Sequence, residues 1–416
     1  MSRILFSVGI NAVEALGSVT RMVAIAKEVR KLDPETVILF RADGVEAEHV
    51  RNHGFQTVPG YKPNIMGFSD LFIKFISALQ GEWNGKVGDL KRMDDVIRLK
   101  GIFTKKFVAI TYHEWVRLID EFKPDVLVSE FDLIAPIVAR VKGIPHYLTC
   151  GTPGRPDFYS ELFYKKPHPD RGLSRHYNKL LRRLGLPEVD NAMEVFLGTG
   201  YSRRIVPSIP ALEDLPQDEM THFMGGIIPE NFSKSSWNWE KKRPLIYVYM
   251  SIGQISAELA ERVLIDTFAE SEYDVIFAGA GHPYFEKKDE YTVGNVHFRR
   301  YVPADQVMKQ ADIVIHHGGQ NTTLQCIEAC VPAIIFPGRH FERYYNAKKA
   351  AEAGCAYCLK NEDFNKETLL RYCQELLEKH PFDAALKRQS AISKGLGGSR
   401  GAAELILGPR DQRAAK

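Results

Sequence analysis

Short apolar runs alternate with helix-period stretches along most of the chain. Arg3–Val8 (RILFSV) is a β-prone run that ends in Gly9. After a loop, Met22, Val23, Ile25, Ala26 and Val29 recur at near-helical spacing between Arg21 and Arg30. Thr36–Arg41 (TVILFR) reads as the next strand, and strand–helix–strand implies a parallel sheet with a right-handed crossover. Asp125–Ser129, a helix from Leu133 to Lys142 stopped by Gly143, and a strand at His146–Thr149 continue the rhythm. Pro207 to Pro244 breaks it with Pro207, Pro210, Pro216, Pro229 and the polar cluster Asn231–Ser236, and reads as a linker. The rhythm then restarts. Strands are expected at Leu245–Ser251, Tyr273–Ala278, Val296–Tyr301, Ile313–His316 and Ala333–Phe336. Helices are expected at Ala257–Ala269, Ala304–Gln310, Thr322–Ala329 and Asn346–Ala353.

This pattern predicts an α/β protein with two facing Rossmann-like domains and a cleft between them. The expected boundaries are 1–225 for the first domain, 226–243 for the linker, 244–408 for the second domain and 409–416 for a tail. Residues 61–120 interrupt the first half. There Leu71, Phe72, Phe75, Ile76 and Leu79 share one helical face, and Gly67–Ile110 carries eight Lys/Arg against five Asp/Glu. Such a stretch reads first as a core-facing helix with a solvated basic side. Covering an acceptor pocket and peripheral contact with an anionic membrane are the alternatives.

Composition narrows the class. The 416 residues are 44% hydrophobic and 26% charged, as in a globular protein. Lys+Arg 55 against Asp+Glu 52 leaves a net charge of +3, too small for a dedicated nucleic-acid binder. No run approaches the roughly 18 apolar residues of a membrane span, and the N-terminus lacks a signal-peptide layout. Six cysteines in so long a chain make no disulfide scaffold, which fits a reducing cytoplasm. An enzyme is the expectation.

The candidate chemistry concentrates in Asp312–Pro337 (DIVIHHGGQNTTLQCIEACVPAIIFP). A buried strand delivers His316-His317-Gly318-Gly319, and a helix begins near Asn321–Thr322. Glycines allow close approach of a ligand to backbone, and a helix N-terminus suits phosphate. His317 and the Thr322 and Thr323 hydroxyls are candidate donors to phosphate oxygens, and Gln325, one turn on, to a sugar hydroxyl. Adjacent strand residues face opposite sides, so His316 is expected in the core. The pair supplies no third ligand for a metal. Cys326 and Cys330 read as core positions, and Cys355-Ala-Tyr-Cys358 as a strand rather than half a zinc site.

The order strand, HHGG-x-N-T-T-L-x-x-x-E-A-x-V-P, strand, polar loop, Asn-Ala resembles the nucleotide-sugar signature of the UDP-glycosyltransferases. LIYVYMSIGQIS, NVHFRRYVPADQVMKQADIVIHHGG, HYNKLLRRLGLPEV and GGSRGAAELIL resemble further blocks of that family, in order. The resemblance covers most of 244–407 and, more loosely, 1–225. It implies a GT-B fold and an inverting, metal-independent transfer of a sugar from a UDP- or TDP-sugar to a small-molecule, lipid or glycan acceptor, with no cofactor beyond that co-substrate. A homodimer is compatible with it. His317 then falls where the family contacts the diphosphate. Gly318, Gly319, Asn321 and Thr322 fall at the phosphates, with Ser251 and Gly253 on an opposing loop. Tyr301 and Val302 bracket the base, and Gln325 stands where a glutamate usually holds the ribose. Glu342 and Arg343 take the sugar-binding positions of the loop before Asn346-Ala347. The Arg, where the family has Gln, points to an acidic or unusual sugar.

The first half departs from the family at the catalytic base. Ser18 occupies the place of the family histidine, in Gly17-Ser18-Val19-Thr20-Arg21. A serine needs its own activator to act as a base. Three expectations follow: Glu14 in the preceding loop does the work, the acceptor needs little help, or transfer has been lost. Asp132 and His113 are further candidates. A non-catalytic sugar-nucleotide-binding protein and a sugar-nucleotide 2-epimerase are the alternative functions.

Overall fold

The computed structural model describes residues 2–9, 17–61, 91–99, 101–167, 172–198, 200–228, 237, 239–250, 255–279 and 290–408. Glu14, Ser251, Gly253, the apolar face Leu71–Leu79, the cluster Asn231–Ser236 and the 409–416 tail lie outside them. Contacts divide the chain into two units: one from the described residues of 1–78, 92–229 and 396–416, the other from those of 79–91 and 230–395.

The first unit is built on a parallel sheet. Its strands are β1 (Arg3–Val8), β2 (Val37–Arg41), β3 (Gln56–Val58), β4 (Val126–Glu130), β5 (His146–Thr149), β6 (Arg203–Val206) and β7 (Thr221–Phe223). Their spatial order is β3-β2-β1-β4-β5-β6-β7. Period-2 alternation splits β1 between two cores. Leu5 packs with Trp115, Val138 and Tyr177, whereas Ile4, Phe6 and Val8 pack with Met22, Val23 and Ile25 of the helix Gly17–Leu32. Helices therefore cover both faces, as an all-parallel sheet requires. Within the proline-rich stretch expected as a linker, β7 instead extends this sheet. A three-residue strand among prolines carries too little pattern to be seen in advance.

The second unit repeats the plan. Its strands are β8 (Leu245–Tyr249), β9 (Asp274–Ala278), β10 (Tyr291–Val293), β11 (Val296–Arg299), β12 (Ile313–His316), β13 (Ala333–Ile335) and β14 (Ala356–Cys358). They lie in the order β10-β11-β9-β8-β12-β13-β14, with only the β10–β11 pair antiparallel. In both sheets the order reverses beside the first strand, between β1 and β4 and between β8 and β12. Ligands of open α/β sheets bind beyond the strand ends at such a switch point.

The last helix corrects the expected boundary. Gly398–Leu407 was expected with the second domain, but it packs in the first unit. Ala402, Ala403 and Ile406 join the core of Val19, Met22, Val23 and Ala26, and the Tyr147 hydroxyl donates to the Leu405 carbonyl at 3.1 Å. Two alanines on one face let the helices approach closely. No helix among the described residues is long and apolar enough to cross a membrane.

The Gly9 N–H donates to the Glu130 carbonyl at 2.7 Å, closing the β1 and β4 tips together. A Cβ on Gly9 would fall inside the Phe131 carbonyl. Gly9→Ala is therefore expected to destabilise the first unit by about 2 kcal/mol or more through overpacking, read as a lower denaturant midpoint in chemical unfolding.

Candidate active site

Beyond β12 the chain turns sharply. His316 is fully buried, as expected, and its Nδ1 accepts from the Gly318 N–H at 3.1 Å. Gly318 adopts φ +86°, which disfavours any side chain, and a Cβ there would lie 2.8 Å from the Arg343 carbonyl oxygen. Asn346 Nδ2 donates to the Gly318 carbonyl at 3.0 Å and pins the turn from the other side. Gly319 then caps the helix Gln320–Ala329. The first N–H groups of a helix have no partner inside it, and its dipole presents positive charge there. Thr322 is buried in this first turn and Asn321 and Gln325 are half-buried. Thr323 does not serve as expected: its hydroxyl donates to the Gly319 carbonyl, 3.0 Å away, inside the helix. Cys330 departs from its expected core place too. It is exposed and ends the helix in a left-handed conformation.

The His317 Nδ1 lies 3.4 Å from the Tyr249 carbonyl at the end of β8. A carbonyl only accepts, so this nitrogen carries the proton and the neutral ring keeps its lone pair on Nε2. Burial, the Arg343 charge working with it, lowers the His317 pKa to about 3. Glu342 and Arg343 lie in the first turn of a helix, Phe341–Glu352, rather than in the loop expected before Asn346. His340 caps that helix: its Nδ1 accepts from the Arg343 N–H at 3.4 Å. Its ring stacks on Phe341 with centroids 5.2 Å apart. Burial, with Arg343 and His317 beside it, lowers its pKa to about 3 as well. Tyr301 is 54% exposed, available to a ligand face, while the adjoining Val302 is buried. Among the described residues no cluster of His, Cys, Asp and Glu could hold a metal ion.

At the switch point of the first unit, sequence reasoning missed the central residue. Glu130, the last residue of β4, is buried. Its Oε1 accepts from Arg21 Nη2 at 2.9 Å, and its Oε2 from Arg21 Nε at 3.2 Å and the Thr149 hydroxyl at 2.5 Å. Ser18 donates to the same carboxylate. Burial disfavours its ionisation, but the Arg21 charge and the bonds from Arg21, Thr149 and Ser18 outweigh this and hold the carboxyl below the usual range. Asp132 is likewise engaged. Its Oδ1 accepts from the Ile134 and Ala135 N–H groups at 2.9 Å each, its Oδ2 from Ser7 Oγ at 2.8 Å, and Arg41 lies 3.6 Å away. His113 is exposed on the helix Lys105–Phe122, its ring steeply inclined to that of Tyr112.

The profile of the glycosyltransferase family 28 C-terminal domain matches residues 252–406. A Bacillus subtilis protein described as an uncharacterized UDP-glucosyltransferase, YojK, is 21% identical over 369 residues, covering 86% of this chain and 90% of its own. The NDP-glycosyltransferase YjiC of Bacillus subtilis is 26% identical over 68% of this chain and 72% of its own. Among solved structures, a spinosyn rhamnosyltransferase complexed with thymidine diphosphate superposes with a TM-score of 0.67 at 16% identity, covering 98% of this chain and 100% of the other. The chain has the GT-B fold of these glycosyltransferases.

Glu130 was legible only as a member of Ser-Glu-Phe-Asp. What would have marked it is its charge: an acid closing a strand otherwise buried on both faces demands a buried partner, and Arg21 is the one arginine in the apolar face of the first helix. His340 was hidden for the opposite reason, since histidine is an uncommon cap. Glu130→Gln leaves Arg21 buried without its counter-charge and is expected to cost about 3 kcal/mol or more at pH 7. The lowered folded pKa means this stabilisation is full above the unfolded value near 4.5 and is lost as pH falls through the folded value. The gap between wild type and Glu130→Gln in unfolding experiments should therefore narrow below about pH 4.5.

Proposed function

We propose that this glycosyltransferase moves a sugar from a UDP- or TDP-sugar to a small-molecule, lipid or glycan acceptor, with inversion and without a metal. The second unit takes the donor and the first the acceptor. One observation carries this: the β8–β12 switch point presents a glycine turn and a helix N-terminus with His317 beside them. A diphosphate is the ligand such a place suits. The spinosyn enzyme's thymidine diphosphate and the UDP in YojK's description support the donor class. Six unpaired cysteines support a reducing, cytoplasmic setting.

In the proposed reaction an acceptor oxygen attacks the anomeric carbon from the face opposite the diphosphate. The bond from that carbon to the diphosphate oxygen breaks, and its electron pair stays on the leaving nucleoside diphosphate. The helix N-terminus at Gln320–Thr322 and the glycine backbone meet the growing negative charge, and an electrostatic site of this kind does the work a metal otherwise would. The acceptor proton must also leave. Both carboxylates at the first switch point, Glu130 and Asp132, have their oxygens engaged. This favours Glu14, or an acceptor acidic enough to need little help, over either of them.

His317→Ala is expected to lower turnover by a hundredfold or so with the fold retained, since its ring braces Tyr249 against the glycine turn. Steady-state rates with UDP- and TDP-sugars and a thermal melt check this; unchanged kinetics would remove the central assignment. Product anomeric configuration by NMR, with and without EDTA, tests inversion and metal independence.

A further inference from the structure

We infer that Arg343, not His317, supplies the full positive charge that meets the donor's diphosphate. The inference rests on the donor-site reading above and goes beyond it, because the sequence pattern assigned Arg343 to the sugar.

The argument begins with the backbone. Arg343 is in the first turn of its helix, with its N–H bonded to His340 and its carbonyl 2.8 Å from where a Gly318 Cβ would stand. Three residues on, Asn346 holds the Gly318 carbonyl. The start of this helix is thus locked to the glycine turn, one residue from His317 and from the N-terminus of the helix Gln320–Ala329. The guanidinium lies near enough to the His317, His340 and Tyr249 side chains for its charge to act on all three.

Protonation then decides between the two basic groups. With Nδ1–H directed to the Tyr249 carbonyl, His317 donates from Nε2 only as an imidazolium. Burial and the neighbouring Arg343 charge oppose that state, and the adjoining buried His316 contributes no charge of its own. His340 is held neutral in the same way. Arg343 is itself pushed down by burial, with Glu342 and Tyr249 acting the other way, but a guanidinium starts so far above neutral pH that it stays charged. So the rings of His317 and His340 offer neutral polar edges, and the guanidinium offers charge and several N–H donors to a phosphate.

The test compares wild type, Arg343→Gln and Arg343→Lys by calorimetry with UDP and TDP, and by ligand-observed NMR with uridine and thymidine. Expected is a loss of about tenfold or more in diphosphate affinity for Arg343→Gln. Partial recovery is expected for Arg343→Lys, with nucleoside binding changed by less than about twofold. Binding heats of wild type at pH 7 should not vary with the ionisation enthalpy of the buffer, because no proton is taken up by His317. Equal weakening of nucleoside and diphosphate, or proton uptake on binding, overturns the inference. So does unchanged UDP and TDP affinity with a lost preference between UDP-glucuronate and UDP-glucose, which would return Arg343 to the sugar. If neither UDP nor TDP binds the wild type, the donor-site reading falls and the inference with it. If one binds and Arg343→Gln binds it equally well, only the inference falls.

Discussion

The turn beyond β12 in the second unit depends on Gly318 having no side chain. Two constraints meet there independently: a left-handed backbone at φ +86° and the Arg343 carbonyl packed where a Cβ would go. Either alone would favour glycine. Together they let the chain leave β12, turn over the three residues His317, Gly318 and Gly319, and enter the helix Gln320–Ala329 with its N-terminus at the strand tips. The hydrogen bonds from Gly318 to His316 and from Asn346 to Gly318 hold the turn once it is made. His316 is thus a structural part of the site although it is wholly buried. Its ring accepts the one backbone N–H that the turn would otherwise strand in the core.

The first unit solves the same topological problem with the opposite chemistry. At its switch point the strand tips are bound to each other through Gly9 and Glu130, and the gap is filled by an ion pair rather than by open backbone. Arg21 emerges from the buried face of its helix, so it must be neutralised, and Glu130 is the carboxylate placed to do so. That carboxylate accepts from Arg21, Thr149 and Ser18, and a base needs a lone pair to spare. Ser18 is therefore more than a missing histidine. Its hydroxyl has become part of the shell that keeps Glu130 ionised. A proton acceptor for chemistry and a counter-ion for a buried arginine are conflicting demands on one group, and the geometry meets the second.

Much of this architecture was legible in the sequence because its signals are local. The apolar runs Arg3–Val8 and Ile313–His316 correspond to β1 and β12, since each is a continuous β-prone stretch bounded by turn residues. The helix after Gly318-Gly319 was legible from its small polar first turn. What escaped depends on distant partners. Nothing within Gly398–Leu407 says that its alanines meet Val19 and Met22 rather than a nearer surface. The helix beginning at Phe341 looked like a loop because Glu-Arg-Tyr-Tyr carries little apolar period, and its cap is the ring nitrogen of His340. The same misjudged start placed Arg343 on a loop instead of on a helical turn against Gly318.

The proposed role of Arg343 also reconciles a nearly neutral chain with an anion site. A net charge of +3 over 416 residues reflects ion pairs spread over the surface, which water screens and which say little about any one place. At the second switch point, burial keeps His316, His317 and His340 uncharged, so three basic residues add nothing to the field at neutral pH. Helix N–H groups contribute only partial charge. One half-buried guanidinium beside the turn is screened less than exposed lysines are, so it counts for more. Counting basic residues overstates this site, through its histidines, and understates it, through its single arginine. The sign and strength of the field follow from which rings are desolvated, and that depends on how tightly the turn at Gly318 closes over them.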